Sequence, residues 1–430
     1  MKHNKVMPHR LGFQNKLRLT CRDGQDYIVQ MHSRKVIFLR ICIISHYDVI
    51  QRNTGGDIRT YYLARSLAAQ GNKVCVVIPG GDEVCELGNG ILVKRVSGVL
   101  PYRLLRFFSS ILGVERVSSL YLYDVSFFLR LLPTLYESDI VQLDTPVPGA
   151  VFMAFMLAKF LRRIVVVDSH DAFQALRTEY SSAVRRVLEL PLEKLTYRFA
   201  TVILTVSDTD KKLLTSYGVH HTKIVVIPNG VDTVGFAPRA DAQDIKNRCD
   251  LNNSLTVVFV GNMEYPPNQQ AVDLIAAKIA PETLSKIENV KFVMVGRKPP
   301  KLPLSSSLIF TGVVENVAQY LATSDVAIAP LLQGSGTRLK ILEYLSCGLP
   351  VISTSIGIEG LEVQNAVNVL IEDDMDEFCA RIVELLRNRR LRTSLGNSGR
   401  ELVVRKYDWR AIGERLNATF HVTLQQASAY

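Results

Sequence analysis

The chain reads as two doubly wound α/β domains that face each other across a cleft. Three features predict this. Uninterrupted β-branched, apolar runs alternate with helical patterns in the first half, and the same alternation starts again in the second. Between the halves, "PNGVDTVGFAPRADAQD" from Pro228 breaks the rhythm with proline, glycine and polar residues, as an interdomain crossing does. At 430 residues the chain is too long for one ordinary core and suits two.

Residues 1–35 read as a poorly ordered basic extension. They hold eight lysines and arginines against Asp23 and Asp26, which is six of the chain's ten net positive charges. Charges interrupt the start and no apolar core follows, so it is not the pattern of a secretory signal. The remainder is only mildly basic, which argues against nucleic acid and leaves room for an anionic membrane surface.

Residues 36–235 read as the first domain. "VIFLRICIIS" (Val36–Ser45) has the composition of a strand buried on both faces. "GGDIRTYYLARSLAAQG" follows, with Thr60, Leu63, Ala64, Leu67 and Ala68 at helical spacing and Gly71 as a stop. "KVCVVIP" returns as a strand and completes a βαβ unit. Further strands are expected at Asp139, Ile164, Val202 and Ile224. Residues 236–407 read as the second domain, with strands at "TVVFVG", "KFVMVG", "DVAIAP", "LPVIST" and "NVLI". The stretch from Met375 onward reads as helical with one break, and residues 408–430 as a helix crossing back to the first domain.

Composition sets the class. Hydrophobic residues at 47% and charged residues at 21% are globular values. The most apolar run, "AVFMAFMLAKFL" at Ala150–Leu161, is shorter than the ~20 residues a membrane span needs and reads as a buried core helix. Seven cysteines form no C-x-x-C pair. Cys42 and Cys75 lie in strand-like runs and Cys347 at a helix end, the usage of reduced thiols in a cytoplasmic protein.

One stretch carries chemistry: "GSGTRLKILEYLSCGLPVIST" (Gly334–Thr354). Ligands of doubly wound sheets bind at the carboxyl ends of strands, and this loop follows such an end. Gly334, Ser335, Gly336 and Thr337 permit close backbone approach, and the helix that follows aims its free N–H groups and positive dipole end at the loop. Arg338 and Lys340 add full charges. Lys340 and Glu343 share one helical face, while Ile341, Leu342 and Leu345 mark the core face. A carboxylate one turn into the helix repels phosphate but suits a diol such as a ribose. The residues therefore fit a nucleotide-sugar pocket, and they fit equally a strand–turn–helix with a surface salt bridge.

The order of segments adds to this. "GGDIRTYYLARSLAAQGNKVCVV", "SHDAF" at Ser169, "TVSDTDKKLL" at Thr205, "VIPNGVDTVGF" at Val226, "VVFVGNMEYPPN" at Val257, "TGVVENVAQYLATSDVAIAPL", "GSGTRLKILEYLSCGLPVISTSIGIEGL" and "YDWRAIGERL" all resemble segments of the family 4 glycosyltransferases, in that family's order. The resemblance runs from about residue 36 to 420 and fades at Pro101–Leu132. It implies the GT-B fold: two Rossmann-like domains, acceptor side first and donor side second.

By position, the resemblance gives Glu343 the donor ribose, and Gly55 and Gly56 the loop near the donor phosphates and the reacting centre. His170 matches a cleft histidine near the transferred sugar, with Asp171 placed to orient it. Two departures stand out. The family often carries glutamates eight positions apart, and the first falls here on Ser335. Many members also place an arginine and a lysine after the first strand of the second domain; here Asn262 takes the arginine's place. Arg338 and Lys340 are the expected replacements for that charge, and Arg297, in "VGRK", is a further candidate.

The D-x-D at Asp208–Asp210 and "EDDMDEF" at Glu372 read as helix starts rather than metal sites, and the resemblance implies no metal or other cofactor. It implies a retaining transfer of a sugar from a nucleotide-diphosphate donor to a hydroxyl acceptor. The expected setting is envelope or extracellular polysaccharide or lipid-linked glycan synthesis, in the cytoplasm and peripherally on the inner face of the cell membrane. Tyr102, Phe107, Phe108 and Tyr121, mixed with Arg103, Arg106 and Arg130, suit contact with anionic lipid and equally suit helices packed on a sheet. The alternatives are an epimerase on the same fold and a nucleotide-sugar-binding partner subunit without catalytic activity. An oxidoreductase that uses a dinucleotide is disfavoured, because no G-x-G-x-x-G follows the first strand.

Overall fold

The structure, a computed structural model, describes residues 16–20, 26–30, 38–52, 54–88, 90–97, 125–144, 148–170, 183–238, 243–298, 306–333 and 338–428. The chain divides into two compact units, Met1–Phe38 and Leu39–Tyr430. In the first, β1 (Lys16–Thr20) pairs antiparallel with β2 (Asp26–Gln30), where the sequence reading expects no strand.

The second unit holds two sheets. The first is built from β3 (Arg40–Ile44), β4 (Lys73–Pro79), β5 (Val84–Glu86), β6 (Ile91–Val96), β7 (Ile140–Asp144), β8 (Ile164–Ser169), β9 (Val202–Thr205) and β10 (Ile224–Val226). Its order is β10-β9-β8-β7-β3-β4-β6-β5. Every neighbouring pair is parallel except β5 with β6. The second comprises β11 (Leu255–Val260), β12 (Val290–Val295), β13 (Leu308–Gly312), β14 (Val326–Ala329), β15 (Val351–Ser353) and β16 (Leu370–Ile371). It runs β13-β12-β11-β14-β15-β16 and is parallel throughout.

The apolar strands follow from burial on both faces. Along β3, Ile41 and Ile43 join one core with Leu63 and Leu67 of the helix Gly55–Ala69, while Cys42 and Ile44 join another with Phe127 and Phe155. Along β11, Val258 packs with Ile341 and Leu345 on one side, and Val257 and Phe259 with Phe378 and Ile382 on the other. These solutions match the two facing Rossmann-like layers of the GT-B fold.

Each sheet reverses its winding once. In the first, the chain moves outward from β3 through β4 and resumes with β7 on the other side of β3; in the second it does the same about β11 and β14. Ligands bind at such switch points, beyond the carboxyl ends of the strands. Gly55 and Gly56 follow β3, Asn262 follows β11, and the helix Leu339–Ser346 follows β14.

The two lobes are joined twice, at residues 227–236 and 407–409, and the joints are bonded to each other. The Val231 amide donates to the Tyr407 carbonyl at 2.8 Å and the Trp409 amide to the Val231 carbonyl at 3.3 Å, and the Thr233 hydroxyl donates to the Asp408 carboxylate. The helix Trp409–Ser428 then lies on the first lobe. Its Ile412, Leu416 and Phe420 are part of the core that holds Leu63 and Leu67, and Ser66 Oγ donates to the Trp409 carbonyl at 2.9 Å.

Some expectations change. The region from Met375 breaks twice rather than once, into Met375–Arg387, Arg389–Lys406 and Trp409–Ser428. Asn388 caps the middle helix through the Leu391 amide, and the Asp408 turn is held by the crossing just described. The helix Pro148–Phe160 is buried on one face only: Ala154, Phe155 and Ala158 are covered, whereas Met153, Met156 and Phe160 are exposed. β5, β6 and β13 are strands that the sequence does not announce; β5 is only three residues long, β6 is interrupted by Lys94 and Arg95, and β13 is only half-buried. Among the described residues, no helix is long and apolar enough to cross a membrane.

Candidate functional site

A cavity of about 600 Å³ opens between the lobes. Gly55 and Ile58 line it from the first lobe; Asn262, Tyr265, Asn268, Arg297, Arg338, Lys340 and Glu343 line it from the second. Both switch points therefore face one space.

On the first lobe, Thr54 and Asp57 start the helix Gly55–Ala69 with a reciprocal cap, each side chain accepting the other's amide. Asp57 also accepts the Asp48 amide at 2.8 Å, tying the β3 loop to the helix start. This sets Gly55 at the cavity, where an added Cβ would sit 3.5 Å from Leu339 Cδ1 of the opposite lobe. Gly56 has a different reason to be glycine. A Cβ there would fall 2.1 Å from the Tyr47 ring, so the ring fills the space that a side chain would take. Tyr47 Oη in turn is 3.0 Å from His170 Nε2.

His170 stands directly after β8 and is buried. Its Nδ1 is 3.9 Å from Asp168 Oδ2. Asp168 is held by both arms of Arg59, at 2.9 Å each, with both side chains almost wholly buried. Asp171 lies outside the described residues; the carboxylate that the structure does set beside the imidazole is Asp168. Asp144, next to it in the sheet, accepts from Thr60 at 2.7 Å. Burial, and then the Asp168 charge, raise its pKa.

On the second lobe, the helix Leu339–Ser346 is locked to the end of β11, because the Tyr344 hydroxyl accepts the Val260 amide at 2.7 Å. Lys340 then reaches across to β11. Its Nζ donates to Asn268 Oδ1 at 2.7 Å and rests 4.2 Å from the centre of the Phe259 ring. An added Cβ on Gly261 would lie 3.1 Å from the same nitrogen. Asn268 is aligned by its other arm, which donates to the Asn262 carbonyl at 2.8 Å. The lysine thus brings its charge to the place after β11 where the resemblance expects an arginine and a lysine.

Electrostatics are unusual here. Burial, with Arg338 nearby, pushes the Lys340 ammonium down to about 7. Burial pushes the Glu343 carboxyl up to about 7, with Lys340 opposing. Both residues are half-buried at the cavity wall, and an anionic ligand beside Lys340 would favour its protonated form.

The other expected residues divide. Asn262 and Arg297 line the cavity, but the Asn262 side chain accepts the Glu264 amide at 3.2 Å and so serves the turn, while the Arg297 carbonyl accepts the Met263 amide. Gly334, Ser335, Gly336 and Thr337 lie outside the described residues. A surface salt bridge between Lys340 and Glu343 is not among the described ion pairs; Lys340 points to Asn268 instead. Asp208–Asp210 follows the Ser207 cap, which accepts the Asp210 amide at 3.1 Å, and Asp374 caps its helix through the Asp376 and Glu377 amides. Sequence reasoning misses Asn268, Tyr47, Arg59 and Asp168. The "PPN" after β11 is the visible trace of Asn268; the others depend on contacts between distant segments.

Two facing parallel α/β lobes with one cleft at both switch points define a GT-B protein. A profile described as "Glycosyltransferase Family 4" matches residues 54–234, and one described as "Glycosyl transferases group 1" matches residues 254–388. Together they take in most of both lobes, and the chain belongs to the group 1, family 4 glycosyltransferases. It is 29% identical over 247 residues to the UDP-Gal:alpha-D-GlcNAc-diphosphoundecaprenol alpha-1,3-galactosyltransferase of Escherichia coli, covering 54% of this chain and 62% of that protein. The GDP-mannose-dependent monoacylated alpha-(1-6)-phosphatidylinositol monomannoside mannosyltransferase of Corynebacterium glutamicum is 26% identical over 225 residues, 48% of this chain and 58% of that one. The match thus spans about 60% of the length of these two relatives. The MMP alpha-(1->4)-mannosyltransferase of Mycolicibacterium hassiacum is 24% identical over 294 residues, 64% of this chain and 68% of that one. In fold, the chain is similar to Anabaena HepE in complex with UDP-glucose, with a TM-score of 0.67 at 15% identity, covering 89% of this chain and 100% of that one. It is similar also to WaaG, with a TM-score of 0.62 at 15% identity over 88% and 99%.

Proposed function

We propose that the protein transfers a sugar, with retention, from a nucleotide-diphosphate donor to a hydroxyl acceptor. The observation that carries this is Lys340: its ammonium is fixed by Asn268 at the end of β11, inside a cavity shared by both lobes. Separating a glycosyl group from a diphosphate develops negative charge on the leaving group. Lys340, Arg338 and the start of the helix Leu339–Ser346 supply positive potential there before the reaction begins. Glu343, one turn further in, accepts hydrogen bonds from the ribose. His170, across the cleft, faces the transferred sugar, and Tyr47 and Asp168 set its ring. Closing the lobes over Gly55 and Leu339 excludes water, which limits hydrolysis. In domain terms, residues 36–235 hold the acceptor and residues 236–407 the donor.

The test is a thermal-shift screen of UDP, GDP and ADP and their common sugars, followed by product analysis with the stabilising donor. Stabilisation by a nucleoside diphosphate together with a glycosylated acceptor supports the proposal. Epimerised free sugar, or binding with no turnover on any acceptor, overturns it.

The acceptor we propose is lipid-linked or an envelope glycan, met at an anionic membrane surface. The names of relatives that act on diphosphoundecaprenol- and phosphatidylinositol-linked sugars support this. So does the exposed stripe of Met153, Met156 and Phe160 beside Lys159 and Arg162, near exposed Leu195 and Phe199 with Lys194 and Arg198. Most of Pro101–Leu132 lies outside the described residues. Flotation with anionic liposomes checks the proposal; a protein that stays with neutral and anionic vesicles alike, or with neither, would refute the charged-surface reading.

A further inference from the structure

The Arg59 guanidinium makes five hydrogen bonds, one for each of its N–H groups. Nε and Nη2 donate to the two oxygens of Asp168, both at 2.9 Å. Nη2 also donates to the Ile227 carbonyl at 3.0 Å, and Nη1 to the Pro228 carbonyl at 3.2 Å and to Asn229 Oδ1 at 3.0 Å. The side chain is 1% exposed. Its partners belong to two structures with different tasks. Asp168 lies two residues before His170 on β8 and faces its Nδ1 at 3.9 Å. Ile227, Pro228 and Asn229 open the crossing to the second lobe, whose next residues pair with the returning chain at Tyr407 and Trp409.

We propose that Arg59 is a positioning residue, which fixes the His170 strand end and the interlobe crossing to one rigid planar group and so sets His170 relative to the donor lobe. This inference rests on the glycosyl-transfer reading for its effect on rate, but not for its effect on the imidazole. Arginine is the residue that fits, because three partners lie on the crossing while the carboxylate takes the fork. Lysine offers three donors on a single nitrogen and cannot hold both. The five hydrogen bonds all end on β8 or the crossing rather than on the donor-lobe wall of the cavity. Nucleotide binding there is therefore independent of Arg59, whereas the sugar-facing side of the cleft depends on it.

The test uses the full chain with Arg59→Lys, which keeps the charge and loses the fork. The expected result is a folded protein with unchanged affinity for the stabilising nucleoside diphosphate, and a kcat lowered tenfold or more with donor KM within about twofold. The long-range ¹H–¹⁵N signals of the His170 ring, identified by their loss in His170→Ala, should move while the other histidine signals stay in place. Unmoved ring signals overturn the inference whether or not the wild type turns over any donor; a wild type that binds nucleotide but transfers nothing counts against the functional reading alone. Should Arg59→Lys fail to fold, Asn229→Ala removes one acceptor and leaves the Asp168 pair intact. It should shift the same signals, and unmoved signals there reject the link to the crossing.

Discussion

Lys340 and Asn268 lie 72 residues apart in the chain and meet at 2.7 Å, ammonium to amide oxygen, at the end of β11. The contact brings a basic side chain from another helix to the end of β11. Burial and Arg338 hold Lys340 down to about 7, so on the proposed function its protonation should be linked to ligand binding. A diphosphate favours the ammonium, so affinity should be flat below about pH 7 and weaken above it, approaching about tenfold per pH unit while the bound form stays protonated. Lys340→Arg should make this slope shallower, since the guanidinium stays charged and only Glu343, pushed up to about 7, still titrates in the window. Calorimetric titration with nucleoside diphosphate between pH 6 and 9 checks both, and a pH-independent wild type would refute the assignment.

Asn268→Asp tests the same contact from the other side. A carboxylate 2.7 Å from the ammonium should raise the Lys340 pKa, so the loss of affinity begins at higher pH than in the wild type. It should also weaken binding overall, because the new charge repels phosphate. If only the overall weakening is seen, Lys340 is not the titrating group.

In the function proposed above, Glu343 meets a part of the donor that does not react. Ground state and transition state then lose its hydrogen bonds together, so Glu343→Gln should mainly raise donor KM and leave kcat within a fewfold. Glu343→Ala should do more, by leaving ribose hydroxyls unpaired in a closed cleft. Wild-type donor binding and rate in a folded Glu343→Ala protein would remove the residue from the site.

The two adjacent glycines should behave differently. Gly56→Ala places a methyl 2.1 Å from the Tyr47 ring, which must move and release His170. We expect about 1–3 kcal/mol of destabilisation together with a clear loss of kcat. In Gly55→Ala the methyl meets Leu339 at 3.5 Å, an ordinary contact, and stability should change little. Urea denaturation of both variants decides; equal behaviour would show that the Tyr47 packing does not matter.

Much of the fold can be read from runs of apolar residues, because strands covered on both faces leave a continuous signature. "KVCVVIP" marks β4 to the residue. β5 escapes because it is a three-residue edge strand ending in Glu86, and β6, next to it, because Lys94 and Arg95 interrupt its apolar run. At the site, Lys340 and Glu343 are legible from helical spacing after a strand. Their surroundings are not, because Asn268 and Phe259 come from another strand's end. Gly56 reads as a phosphate-approach glycine, but its close neighbour is an aromatic ring from the preceding loop. Arg59 looks like one more charge on an amphipathic helix, and only its five acceptors from β8 and the crossing show why it is buried.

The helix Trp409–Ser428 has a consequence for biosynthesis. Ser66 and Trp409 are bonded across 343 residues of chain, and Ile412, Leu416 and Phe420 complete a core begun by Leu39 and Ile41. As the chain emerges from the ribosome, the first lobe is made first but stays uncovered along the helix Gly55–Ala69. That face is sealed only after the whole second lobe has been synthesised. The lobe translated earliest is therefore the last to be finished, and during that interval its apolar groove is open to chaperones or to misassociation.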